Sequence, residues 1–353
     1  MLGIVAFASI ALKPINHVKL PAESREFDFV VLGDNRPAGS GLPPTLVFRE
    51  IIREVGFLHP AFVLSSGDLV YGNEESIEQY RRECDQITLV LSTLNVPFFN
   101  AVGNHEIADR PEFQTEYVKR FGPVFGSFEY GGFQFIGLCT DEAQAKGKLS
   151  NSQRLWLNEM LVSSKPSFVF MHRPVFARAG NDEDGATVEG AASIHELFKE
   201  HGVQAVFEGH DHVYDRQKHD GVEYIISGGA GAPLDANPEN GGYFHFVLVH
   251  VKGGKASMSV VPVGAIEITR DKEGVRVANY SDGDLDLKDF PLECSSVTPK
   301  IWAIVDNKGK KTEIPVVIER VEKTNAGFMA HLKFKLTKHR QTILSLRYGS
   351  EHP

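Results

Sequence analysis

Five short apolar runs in this chain each break off into a polar loop that opens on a side chain able to bind a metal ion. Residues 27–32 (FDFVVL) lead into Gly33-Asp34, and residues 62–65 into Gly67-Asp68. Residues 96–102 lead into Gly103-Asn104-His105, 168–171 into His172, and 205–207 into Gly209-His210-Asp211-His212. Apolar runs of this length, bounded by glycine, read as buried strands. Helical patterns separate them. A helix is expected over 45–57, and Ile77, Tyr80, Cys84, Ile87, Leu91 and Leu94 recur at steps of three and four on one face of the next. Ser150-Asn151-Ser152-Gln153 is a capping box that opens a helix carrying Trp156, Leu157, Met160 and Leu161, and a further helix near 190–201 stops at Gly202. Strands alternating with helices make a layered α/β domain, in which loops at the strand ends converge on a site.

A hairpin is expected over 127–138, turning at Gly131-Gly132, and further strands over 224–226, 243–251 and 257–263. From about residue 265 helical periodicity stops. Short alternating segments at 275–278, 301–305, 314–318 and 332–336 take over, separated by turns such as Asp306-Asn307-Lys308-Gly309. The expected organisation is a leader or N-terminal arm over 1–22, a layered domain over 23–264 and a β-rich domain over 265–353.

Charge narrows the partners. The 353 residues carry 37 Lys and Arg against 46 Asp and Glu, a net charge of −9, which argues against nucleic acid because phosphate-backbone binding needs clustered cations. It leaves small anionic substrates open, since bound metal ions can reverse a local field. Cys84, Cys139 and Cys294 are too few for a disulfide framework and are expected as buried thiols. The uncharged apolar run at residues 2–12 reads as a leader, hence a secreted or periplasmic protein. It has no basic segment before it, so a packed N-terminal arm in a cytoplasmic protein is the alternative. No run reaches the ~20 apolar residues of a membrane span.

Carboxylates, an amide oxygen and imidazoles without thiolates suit Zn, Fe or Mn rather than a structural cysteine site. Singly, each has a plainer reading. Asp34, Asp68 and Asn104 follow glycine-containing turns and could organise them, and His172 could be a strand-end histidine. Gly-His-Asp-His is more pointed, because two imidazoles two residues apart on an extended loop can face different ions. A carboxylate between two such donor sets can bridge a pair of ions that clamps a phosphoryl group.

In its five blocks the sequence resembles the calcineurin-like metallophosphoesterases, and among them the purple acid phosphatase type. The blocks are Gly33-Asp34-Asn35-Arg36, Gly67-Asp68-Leu69-Val70-Tyr71, Gly103-Asn104-His105-Glu106, Val169-Phe170-Met171-His172 and Gly209-His210-Asp211-His212. The resemblance implies a four-layer sandwich of two mixed β-sheets flanked by helices, with a small all-β C-terminal domain. It implies two metal ions, one held by Asp34, Asp68, Tyr71 and His212, the other by Asp68, Asn104, His172 and His210. Iron is expected at the first, and Zn, Mn or Fe at the second. The implied reaction is hydrolysis of phosphate monoesters on a phosphorylated small molecule, by in-line attack of a hydroxide held at the metals. His105 would be the general acid, and Glu106 or Asp211 would orient imidazoles.

One departure matters. Arg36 stands where the purple type has glycine and most other members a liganding histidine, so Tyr71 is left to complete the first site as a phenolate, and Arg36 is free to meet the substrate phosphate. The rivals are a phosphodiesterase acting on cyclic nucleotides or phospholipid head groups, and a binding protein that keeps the fold without turnover. Specificity is expected in loops 36–44, 106–116 and 176–190, and oligomeric state is left open. Among weaker motifs, Asp282-Gly283-Asp284-Leu285-Asp286 has the opening spacing of a calcium loop but Leu287 where glycine is required. His195, His201 and His219 are expected at the surface, and Gly228–Gly231 as a turn leaving a sheet.

Overall fold

The structure, a computed structural model, describes residues 10–72, 76–107, 109–162, 165–178, 180, 186–271, 274–281, 283–307, 310–325, 327–338 and 340–347. Two compact units divide the chain, residues 1–52 with 60–258 and residues 53–59 with 259–353. Residues 1–9 of the possible leader lie outside the described residues. Its end does not: Ile10 and Leu12 bond to Ser127, with the amide of Ser127 donating to the Ile10 carbonyl at 2.8 Å and the amide of Leu12 to the Ser127 carbonyl at 3.0 Å.

Up to residue 262 the chain runs β1 (Phe27–Leu32), α1 (Leu46–Leu58), β2 (Val63–Ser65), α2 (Ile77–Leu91), β3 (Phe98–Asn100), α3 (Asn104–Ile107), α4 (Pro111–Phe121), β4 (Gly126–Tyr130) and β5 (Phe133–Gly137). A two-residue ribbon, β6 (Asp141–Glu142) and β7 (Ala145–Lys146), precedes α5 (Asn151–Leu161), β8 (Ser167–Phe170), α6 (Ala191–Glu200) and β9 (Ala205–Glu208). Then come β10 (Tyr214–His219), β11 (Val222–Ser227), a 3-10 turn (Pro238–Asn240), β12 (His245–Lys252) and β13 (Lys255–Pro262). One sheet has the order β13-β12-β1-β2-β3, the other β10-β11-β9-β8-β5-β4. Both are mixed. β1, β2 and β3 are parallel, as are β5, β8, β9 and β11, while β12, β10 and β4 run antiparallel to their neighbours.

Phenylalanine fills the space between the sheets. Phe29, Phe62, Phe135, Phe168 and Phe207 are fully buried, with Phe29 and Phe62 stacked at 5.2 Å and Phe62 edge-on to Phe135 at 4.9 Å. Burying one such ring stabilises by about 1.5–3 kcal/mol, and each ring pair adds about 0.5–1.5. On the outer face of the second sheet, Trp156, Leu157, Ile194 and Phe198 of α5 and α6 cover Ile136, Val169 and Val206. The strands therefore read as almost continuous apolar runs, because both of their faces are covered. The result is the expected four-layer arrangement.

In the second unit β14 (Ile266–Asp271), β15 (Gly274–Asn279), β16 (Leu285–Cys294), β17 (Lys300–Asn307), β18 (Lys310–Pro315), β19 (Val317–Thr324), β20 (Gly327–Leu336) and β21 (Arg340–Arg347) form two antiparallel sheets, β14-β15-β21-β17-β18 and β16-β20-β19. The single strand expected over 314–318 is corrected. Pro315 ends β18 in one sheet and Val317 starts β19 in the other, as suits a residue with no amide to give a ladder. Asp282 lies outside the described residues; the rest of the motif at 282–286 runs into strand β16, whose Leu287 is buried, and Asp284 pairs with Lys335 at 3.0 Å. His195 is not at the surface. It is buried in α6, bonded to the Tyr224 hydroxyl at 2.8 Å.

Candidate metal centre

Parallel strands put their C-terminal ends on one edge, and the donor side chains follow that edge. Asp34 stands two residues past β1, Asp68 three past β2, Asn104 opens α3 after β3, His172 stands two past β8, and His210 and His212 follow β9. The loops are tight. Asp34, Asp68 and His210 all have positive φ (59°, 57° and 72°), a conformation that costs a non-glycine residue about 1–3 kcal/mol and concentrates at functional sites. Gly103 is required by close approach, since a Cβ there would lie 2.2 Å from the Asp68 Oδ1.

Asp34, Asp68 and His172, all buried, bring one donor atom each within 4.8 Å of one another. The His172 Nδ1 donates to the Ser66 carbonyl at 2.9 Å, and burial holds the ring's pKa down, so a lone pair on Nε2 faces the site. That atom lies 2.9 Å from the Asn104 Oδ1, 3.2 Å from the His210 Nδ1 and 3.5 Å from the Asp68 Oδ1. The Asn104 oxygen is itself 3.0 Å from the His210 Nδ1. A cation held at about 2.0–2.2 Å by nitrogen and oxygen donors separates neighbouring donors by roughly 2.9–3.5 Å. Two acceptors, the His172 Nε2 and the Asn104 Oδ1, cannot hydrogen-bond to each other, but both can ligate one ion. This donor set fits a metal.

A second group forms around Asp34. The His212 Nε2 lies 3.6 Å from the Asp34 Oδ1, while the His212 Nδ1 faces the Pro233 carbonyl at 2.6 Å and Asp235 at 3.4 Å. Burial alone would depress the His212 pKa, but the bond to Asp235 and the charge of Asp34 raise it to about 9. Burial and the charge of Asp68 push Asp34 well above its ordinary range. Burial acts on Asp68 in the same direction but is outweighed by His172, His105 and Arg36, which leave it below. A cation between these two carboxylates would hold both ionised.

Near the pair, the Arg36 Nε is 3.5 Å and the His105 Nε2 3.9 Å from the Asp68 Oδ2. The His105 Nδ1 donates to the Tyr71 carbonyl at 2.5 Å, which turns Nε2 toward the carboxylates. The Tyr71 ring packs against His105, with centroids 5.5 Å apart, and beneath the Arg36 guanidinium at 5.9 Å. Among the described residues no hydrogen bond joins the Tyr71 hydroxyl to Asp34, Asp68 or His212.

Glu106 and Asp211, the expected imidazole orienters, each meet other groups. The Glu106 carboxylate accepts the amides of Leu69, Gly103 and Asp68 at 2.5, 2.8 and 3.1 Å, clamping two of the loops together, and burial with the charge of Asp68 pushes its pKa up to about 8. Asp211 pairs with Arg178 at 3.4 Å. The residues that seat the rings escape sequence reasoning. Asp235 has no pattern around it. The Nη1 of Arg173, next to His172, lies 3.0 Å from the His210 Nε2, and the buried Asp141 holds its guanidinium at 2.9–3.0 Å. Another donor group, His195, Glu196 and Asp220, is already served by Lys199, 3.3 and 3.5 Å from its two carboxylates.

Two mixed sheets packed face to face, with nitrogen and oxygen donors from five strand ends gathered at one edge, define a class, the layered metallophosphoesterases. The model of the calcineurin-like phosphoesterase family matches residues 29–214, more than half of the chain, and the chain belongs to that family. It is 27% identical over 189 residues to "Serine/threonine-protein phosphatase CPPED1" of Danio rerio and 26% identical over 191 residues to that of Rattus norvegicus; in each case 50% of this chain matches 61% of the relative. The chain thus spans about three fifths of the length of these relatives. Among solved structures it resembles a dimetal phosphatase from Danio rerio, at TM-score 0.50 and 16% identity, over 66% of this chain and 95% of that one. That likeness is one of fold.

Proposed function

We propose that this chain is a dinuclear-metal phosphatase that hydrolyses phosphate monoesters, with residues 23–264 as its catalytic domain. The observation that carries the reading is the cluster of mutually facing donors, the His172 Nε2, Asn104 Oδ1, His210 Nδ1 and Asp68 Oδ1, spaced at 2.9–3.5 Å as the donors of one ion are. Asp68, Asn104, His172 and His210 would hold one metal, and Asp34, Asp68, His212 and Tyr71 the other, with Asp68 shared. Iron at the Tyr71 position, and Zn, Mn or Fe at the second, suit a phenolate on one side and imidazoles on the other. Such a pair supplies Lewis acidity and an acidified water.

The chain's own groups would do the rest. Arg36, whose buried Nε has no hydrogen-bond partner among the described residues, is placed to take a phosphate oxygen next to Asp68. His105, anchored through Nδ1 to the Tyr71 carbonyl, is left with Nε2 as the atom that can hand a proton to a leaving alkoxide. The names of the Danio and Rattus relatives support an alkyl monoester, since a serine or threonine alkoxide is a poor leaving group that needs such a proton. A panel of alkyl and aryl monoesters and of diesters, assayed with added Fe, Mn or Zn, tests the reading. Turnover of monoesters that depends on metal is expected. Exclusive turnover of diesters, or none with any metal, would contradict it.

A further inference from the structure

We propose that a cavity beside the metal centre is a subsite for a positively charged substrate group, a lysine or arginine side chain close to the phosphorylated residue of a peptide. The proposal rests on the phosphatase reading above and deepens it.

The cavity, of about 450 Å³, is lined by Arg178, Tyr214, Asp215, Glu239 and Tyr243 and by the backbone of the turn at 238–241. Its position ties it to the site. Tyr214 stands two residues past His212 and pairs with Ser227, the last residue of β11, so it lies on the edge where the donor loops gather. The opposite wall is the Pro238–Asn240 turn, three residues beyond Asp235, whose carboxylate accepts the His212 amide at 2.8 Å. The amide of Tyr214 donates to the Gly241 carbonyl at 2.8 Å and closes the two walls at one end.

The lining chemistry selects a cation. Arg178 is the one positive group in the lining, and Asp211 balances its charge from 3.4 Å away. Asp215 and Glu239 then set the sign. Asp215 accepts one bond from the Gln217 amide at 2.8 Å, and Glu239 is exposed. The Tyr214 and Tyr243 rings, 6.3 Å apart at 44°, line the same cavity as these carboxylates. Aromatic faces next to carboxylates are what an ammonium or guanidinium group binds. Two extended residues span at most about 7 Å, so a side chain two positions from the phosphorylated residue can reach a pocket two residues from a ligand.

The test compares phosphoserine peptides that differ only in lysine, alanine or glutamate two positions from the phosphoserine, on either side, using full-length metal-loaded protein. Phosphoethanolamine against glycerol phosphate is the small-molecule arm. Expected is a kcat/KM roughly tenfold higher for a lysine peptide than for its alanine counterpart, the scale of one cation–π contact in a partly desolvated site. The Asp215→Asn, Glu239→Gln double variant should lose that preference while its turnover of an aryl phosphate stays at the wild-type level. No lysine preference, a preference that survives in the double variant, or a preference confined to phosphoethanolamine would each overturn the proposal. If the wild-type protein hydrolyses no phosphoester, the phosphatase reading fails. Calorimetric binding of the same peptides to the wild type and the double variant then still decides the subsite.

Discussion

His172 and His212 each have one direction to face, because the ring nitrogen turned away from the site is already engaged. The His172 Nδ1 donates to the Ser66 carbonyl and the His212 Nδ1 to the Pro233 carbonyl. Locking a ring in this way fixes which nitrogen meets an ion before the ion arrives. His105 is built alike but stands off the donor cluster, so the two roles separate in a variant. His105→Ala should keep both metals and slow alkyl phosphate turnover by ~10²–10⁴-fold, with a smaller loss on an aryl phosphate, whose leaving group needs little protonation. Equal losses on both substrates, read by steady-state kinetics, would take the general-acid role from His105. Tyr71 is tested by colour. A phenol, with an ordinary pKa of about 10, loses its proton only beside a strongly charged cation, and ferric phenolate absorbs visible light. Iron-loaded protein should be coloured and Tyr71→Phe bleached. A colourless protein with stoichiometric ferric iron would place Tyr71 off the metal.

At the scale of elements, the site depends on the pair Arg173–Asp141, which links the loop after β8 to the ribbon strand β6 and reaches His210 beyond it. Both are buried, so removing one charge strands the other. Arg173→Met should cost on the order of 3–5 kcal/mol in denaturant unfolding, and adding Asp141→Leu should restore much of it. A loss below about 1 kcal/mol would show that the pair is not needed for folding. Elements of this kind differ in how visible they are in the chain. β1 runs over the residues its apolar stretch marks, and the donors after β1, β2, β3, β8 and β9 are legible because a short apolar run ends abruptly on a donor. Helix α4, Pro111–Phe121, passes for loop, although Phe113, Tyr117 and Phe121 mark a face at steps of four and a proline opens it; its N-cap, Arg110, offers no capping side chain to announce a start. Asp141 and Asp235 were beyond reach for a different reason. Their partners are 32 and 23 residues away, and no local pattern encodes a contact of that kind.

For the whole molecule, the donor cluster is a charge problem that a cation solves. In metal-free protein, Glu106 titrates near 8 against an ordinary 4.5, and His212 near 9 against an ordinary 6.5. Both groups bind protons more tightly in the folded state than in the unfolded one. The stability that Glu106 contributes is whole below about 4.5 and lost as pH rises through 8; that of His212 is whole below about 6.5 and lost as pH rises through 9. Asp34, raised by burial, acts with the same sign. His172, His210 and His245, held low by burial, are neutral in both states above about pH 6.5 and do not oppose the trend there. Chelator-treated protein should therefore lose several degrees of Tm between pH 6.5 and 9; a flat or rising Tm would contradict this balance. The central claim, two ions sharing one carboxylate, is tested most directly by elemental analysis of dialysed protein alongside its Asp68→Ala variant. The account predicts two metal ions per chain in the wild type and loss of both in the variant. One ion per chain in the wild type, or two tightly held ions in the variant, would contradict it.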